Sequence, residues 1–259
     1  MRAAQQVGVP SRPLQHNSAT GAVRRSFMAA FAWGICTPVL GLATVGPARA
    51  QEGKKDLFPS MAPVAQYRMA DRSEEIAMAR SAAPVSISSD ADVLVLGDGG
   101  FETAVKGKNG FVCLVERSWF ASYDDAEFWN PKVRSPICLN ARAASTVLSV
   151  DLEKTQWALA GLSKAEMIAR TRSSARAHQA PAPGSMAYMM SKQGHLSDAV
   201  GHWHPHLMFF QPHTALSDWG AGLVDSPVLG QEGGPNEATV FFVPLDKWSD
   251  GTSVSLDVQ

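Results

Sequence analysis

Five of the chain's seven histidines fall between His195 and His213, in HLSDAVGHWHPHLMFFQPH, and three of them alternate in His202-Trp203-His204-Pro205-His206. Side chains two residues apart on a strand point the same way, so His202 with His204, or His204 with His206, can share one Zn2+ or similar divalent ion at about 2.0 to 2.1 Å per nitrogen. All three need a bend, because an extended chain sets His202 and His206 roughly 13 Å apart. Pro205 supplies one and cannot donate to a central ladder, which makes the segment a loop feeding a strand, or an edge. The expected ligand set is a pair from His202, His204 and His206, completed by His213 or His195, with Asp198 or Glu237 as base or further ligand. The same imidazoles also fit a polar pocket without metal, and His and Trp gathered at a strand entrance also occur as plain surface.

Two other patterns near this segment suggest chemistry and fail on context. Tyr188-Met189-Met190-Ser191-Lys192 has the Tyr-x-x-x-Lys spacing of short-chain dehydrogenases, where the lysine lowers the tyrosine pKa. That pair works on a helix beside a Rossmann glycine loop, whereas here it falls on an expected strand, and VLVLGDGG lacks the G-x-G-x-x-G spacing. Tyr188 and Lys192 are therefore kept only as expected pocket residues, with His195 and Asp198. Serine hydrolysis is set aside for want of a G-x-S-x-G elbow, Ser185 being a turn residue by context.

The elements expected to position these side chains follow from period and punctuation. Asp71-Arg72-Ser73-Glu74 has the form of a capping box, opening a helix from about Arg72 to Ala82 that Pro84 stops. From Asp92 the pattern turns strand-like: three apolar runs to Glu116, separated by Gly97-Asp98-Gly99-Gly100 and Lys108-Asn109-Gly110, predict an antiparallel meander. Arg117 to Ala143 reads as a long surface loop tied down by Cys138, its Asp124, Asp125 and Glu127 read as a solvated acidic turn, with metal carboxylates as the alternative. Helices are expected over Asp151 to Ala160, closed by Gly161, and after the capping box Ser163 to Glu166, with Arg170, Arg172 and Arg176 outward. Later strands are expected at Met186 to Met190, Leu207 to Phe210 and Thr239 to Leu245, with a loop over Leu216 to Glu237. The fold class is thus α+β, an antiparallel sheet with helices packed on one face.

Residues 1–50 carry five arginines and no acid. The pair Arg24-Arg25, an apolar run from Phe27 to Val45 and the triplet Ala48-Arg49-Ala50 resemble a cleavable twin-arginine export signal, although Val23 stands where Ser or Thr is usual. The alternative is an uncleaved anchor, since the run is nearly long enough to span a bilayer. Cleavage would leave 209 residues from Gln51, with 18 basic against 24 acidic side chains and a net charge of −6, which argues against a nucleic-acid partner. An exposed arm over 51–70 and a single domain over 71–259 are expected, with no stable membrane insertion after cleavage. Two cysteines remain, Cys113 and Cys138. In a periplasmic or secreted protein an even pair reads most simply as a disulfide; a catalytic thiol and thiolate metal ligands are the alternatives.

The runs RSAAPVSISSDADVLVLGDGGFETAVKGKNGFVCLVERSW, FWNPKVRSPICLN, YMMSKQGHLSDAVGHWHPHLMFF and FFVPLDKWSDGTS resemble a family of exported bacterial proteins known only as hypothetical. The resemblance spans nearly all of the chain after residue 50 and implies no activity, cofactor or catalytic residue. Two functions are expected from the residues: a metal-dependent hydrolase or oxidoreductase built on the histidines, or a non-catalytic protein, ligand-binding or envelope-associated, in which they orient a small molecule or partner.

Overall fold

The computed structural model describes residues 57–174, 180–233 and 238–255, all within one compact unit, Gln51–Gln259. Residues 1–50, expected as an export signal, and Arg176 and Glu237 lie outside the described residues. In chain order the elements are α1 (Arg72–Arg80), α2 (Val85–Ser88), β1 (Asp92–Gly97), β2 (Gly100–Val105), β3 (Val112–Glu116), β4 (Ser135–Leu139), α3 (Ala141–Leu159), α4 (Lys164–Ser174), β5 (Met186–Met189), β6 (His206–Gln211), β7 (Leu229–Gln231) and β8 (Thr239–Pro244). The strands form one sheet in the order β2-β1-β3-β4-β5-β6-β8-β7. All neighbours are antiparallel except β1 and β3. The α+β class is therefore as expected.

The expected meander is not what forms. β1 and β2 make the hairpin, but β3 returns to the far side of β1 and runs parallel to it, with Asp92 opposite Val112. The connection passes tightly beneath β1. Gly107 donates its N–H to Asp92 Oδ1 at 2.7 Å, and a Cβ at Gly107 would stand 2.1 Å from the Asp90 carbonyl oxygen. Lys108 and Asn109 both donate backbone N–H groups to that carbonyl. Asn-Gly does mark a turn here, but the turn carries the chain across a strand instead of back along one.

Alternation along β3 divides the core in two. Cys113 and Val115 pack with Val93, Cys138 and Ala79 of α1, while Leu114 packs with Ile137, Leu139, Ala187 and Ala143 and Leu148 of α3. Successive strand residues point to opposite faces, so α1 and α3 lie on opposite faces, correcting the expectation of helices on one face. Continuous apolar strands such as VCLV and PICL are the pattern of a sheet covered on both sides.

Residues Arg117 to Ala143 are not a surface loop. Trp119 and Phe128 are fully buried, Trp129 nearly so, and the segment contributes the wholly buried strand β4. Pro136 is tolerated there because β5 pairs only with Cys138 and Leu139, so its missing N–H falls where that ladder has ended. α3 also starts earlier than expected, at Ala141, because Asn140 Oδ1 caps it by accepting the Ala143 N–H at 2.9 Å. Within the described part of the expected arm, half of residues 57–70 are exposed, but Tyr67 is fully buried and donates its hydroxyl to the Trp129 carbonyl at 2.8 Å.

Cys113 and Cys138 face each other across β3 and β4 and are joined as a disulfide, 25 residues apart in sequence. A Cys138→Ala protein is expected to lose about 3 kcal/mol, the closure entropy of such a loop in the unfolded chain. A urea midpoint unchanged from the oxidised wild type would contradict this.

Candidate functional site

His206 opens β6 opposite Met189 and Pro244, on the face that carries α3. Its ring lies between the Trp203 indole, 6.3 Å away between centroids, and Phe242 at 5.6 Å, both edge-on. Its Nδ1 is 2.7 Å from the His204 carbonyl oxygen. A carbonyl only accepts, so Nδ1 carries the proton and the Nε2 lone pair is left available. Burial, the largest influence, holds the His206 pKa below its ordinary value, so the ring is neutral at pH 7.

His202 is exposed and repeats only the tie to a backbone carbonyl. Its Nδ1 is 3.1 Å from the Trp203 carbonyl oxygen, and its ring meets Trp248 edge-on at 5.2 Å. Between the two histidines Trp203 is 8% exposed, and its indole Nε1 is buried without a hydrogen-bond partner. Gly194 makes room for that indole, since a Cβ there would stand 3.1 Å from it. The loop is held by Leu196 N–H donating to the Gly201 carbonyl at 2.6 Å and Gly201 N–H donating to Ser197 at 2.8 Å. Gly201 at φ 70 takes a backbone conformation that glycine permits.

The other expected residues scatter. His204 is exposed and contributes its carbonyl to His206; His213 is exposed beyond the end of β6. His195 pairs by backbone with Arg134, and its Nε2 lies 3.5 Å from Asp198 Oδ1. Asp198 is itself bound by Lys132 Nζ at 2.8 and 3.1 Å, and that lysine lowers its pKa. Lys192 forms a surface ion pair with Asp250 at 2.7 Å. Tyr188 does not share the histidines' face: it stands opposite Leu207, one residue out of phase with His206, and packs with Phe111 on the α1 side. A one-residue phase difference on a strand reverses the side chain. Among the described residues no group of three or more His, Cys, Asp or Glu is placed to hold a metal ion.

A second cluster was not singled out in the sequence. Glu116 at the end of β3 and Asp151 on α3 are half-buried; burial raises both carboxyls above the ordinary carboxylate range, and Lys154 on α3 opposes this. The available signal was Asp151 itself, which falls in the helical stripe Ala144, Leu148, Thr155 and Ala158 that faces the core.

Comparison of the chain with protein-family models, with curated proteins and with solved structures finds no match in any of the three.

Proposed function

We propose that this is an exported protein, belonging to the family of exported bacterial proteins it resembles, and that it binds a small polar molecule at the His202–His206 segment. The observation that carries this reading is the orphaned Trp203 indole N–H beside two imidazoles whose Nδ1 atoms are tied to backbone carbonyls. A buried donor without an acceptor costs about 1 to 3 kcal/mol. A ligand oxygen meeting Trp203 would recover that cost, while imidazole Nε2 accepts an N–H or O–H from the same molecule. The aromatic neighbours Trp248 and Phe242 supply apolar contact. Export rests on the arginine pair and the Ala48-Arg49-Ala50 triplet of the sequence. Among the described residues no helix is long and apolar enough to cross a membrane.

A second reading, a metal-dependent hydrolase or oxidoreductase, is favoured by the carbonyl-anchored Nδ1 atoms, since metal-ligating histidines commonly hold their other nitrogen in this way. His202 and His206 would then bind a divalent ion such as Zn2+ through Nε2, with further ligands supplied from outside the pair.

Ring nitrogen spectra of tag-free protein test both readings. His206 is expected as the Nδ1–H tautomer, remaining neutral below the ordinary histidine pKa of about 6.5. A fragment set of small amides and carboxylic acids is expected to shift the Trp203 Nε1–H and His206 Nε2 signals, and Trp203→Phe to abolish that response. Zn2+ shifting both Nε2 signals, with loss of the response in His206→Ala, would favour the metal reading. Silence of both rings and the indole toward fragments and Zn2+ alike would overturn the site.

A further inference from the structure

The sheet face that carries His206 extends beyond the histidine. α3 packs on β2, β4 and β5 of that face, and past it the face continues over β6, β8 and β7. Met208 is two residues on from His206 and so points the same way. It stands opposite Phe242 of β8, which in turn stands opposite Leu229 of β7. These three side chains form one apolar row that starts beside the His206 ring, itself 5.6 Å from the Phe242 ring between centroids. With strands about 4.8 Å apart and a rise of about 3.4 Å per residue, His206 and Leu229 are separated by roughly 12 Å.

The two faces of these strands are covered unequally. On the other face Trp219 stacks on Phe241 at 4.5 Å, and a Cβ at Gly230 would stand 2.6 Å from Leu216 and 3.1 Å from Ala221, so the segment after β6 lies directly against the sheet. On the His206 face Leu229 is 56% exposed, and Met208 and Phe242 are half-buried. An accessible apolar row thus leads away from the Trp203 indole N–H, which is buried without an acceptor.

Charge narrows what can lie there. From Gln193 to Asp246, the stretch that supplies Trp203, β6, β7 and β8, the chain has no Lys or Arg, and its charges apart from histidine are acidic. Such a field disfavours an anionic head group. A primary amide needs no cation: its oxygen accepts from Trp203 while its N–H donates to His206 Nε2.

Resting on the polar site proposed above, we infer that its ligand is an uncharged amphiphile, with an amide or similar head between Trp203 and His206 and an unbranched apolar body laid across Met208 and Phe242 toward Leu229.

Acetamide, octanamide and octanoate titrated into tag-free protein, read by the Trp203 Nε1–H signal, test this. A fully buried methylene is worth about fourfold in affinity, and one lying on an open face about twofold. Octanamide is therefore expected to bind roughly fiftyfold more tightly than acetamide, and more tightly than octanoate. Leu229→Thr, a strand-compatible change at an exposed position, is expected to cut the advantage of octanamide about fivefold and leave acetamide binding unchanged. Acetamide and octanamide binding alike would overturn the apolar extension while leaving the polar site standing, and octanoate binding the tighter would overturn the uncharged head. Self-association that Leu229→Thr abolishes, with no advantage for octanamide, would assign the row to a second copy of the chain and overturn the proposal. A Trp203 signal unmoved by either amide would remove the polar site and this inference together.

Discussion

Replacing Arg117 by methionine is expected to destabilise the protein by about 3 to 5 kcal/mol. The guanidinium is fully buried, pairs with Glu75 at 2.7 Å, donates Nε–H to the Tyr67 carbonyl at 2.6 Å and donates from Nη1 to the Val115 carbonyl. Glu75, 3% exposed, also accepts the Leu96 N–H at 3.1 Å. Removing one partner strands a buried carboxylate and two buried carbonyls, whereas removing both charges spares most of that desolvation cost. Glu75→Gln combined with Arg117→Met should therefore be more stable than Arg117→Met alone, a non-additivity that a double-mutant cycle in urea measures. An Arg117→Met protein within 1 kcal/mol of wild type would show that the pair is not holding the core. Arg134 adjoins the same network: burial first, and then the neighbouring Arg117, lowers its pKa to about 10.

The second large effect has the opposite sign. Asp151→Asn is expected to stabilise the protein at pH 8, by up to about 4 kcal/mol if the carboxyl titrates near 7. The folded-state pKa lies above the unfolded value, so the folded chain holds the proton more tightly. That contribution is complete below about pH 4, declines as pH rises toward 7 and is absent above it. Asparagine removes the dependence, so the two proteins should converge in stability near pH 4 and diverge by pH 8. An equal loss of stability in the variant at both pH values would mean that Asp151 is not a raised carboxyl.

Local rules read from the chain carried well into the structure. Asp71 accepts the Ser73 N–H at 2.7 Å, and Ser163 and Glu166 exchange bonds as a full capping box. Gly161 closes the helix at φ 77. β5, β6 and β8 fall within a residue or so of their expected bounds, because alternation and punctuation are properties of neighbouring residues. What was not legible depended on remote partners. The parallel placement of β3 beside β1 is set by the approach of Gly107 to Asp90, and nothing in Lys-Asn-Gly distinguishes crossing a strand from turning back. Ser135 to Leu139 read as loop because proline and aromatics crowd it, yet both neighbouring strands and the disulfide claim it for the centre of the sheet. In the candidate site, the clustering of histidines pointed to a pair within His202, His204 and His206 completed by His195 or His213, whereas His204 and His213 are exposed. The one-residue phase that turns Tyr188 away, and the carbonyls that fix both tautomers, become visible only in three dimensions.

The margins of the sheet bear on behaviour in concentrated solution. β2 presents Glu102 and is followed by Lys106, and its pairing with β1 is broken by a bulge at Val93 and Leu94; β7 is only three residues long. Charge, irregularity and brevity each deny an incoming chain a flat run of unpaired amides. The eight strands therefore have little means of extending into a fibrous assembly, even where molecules are densely packed.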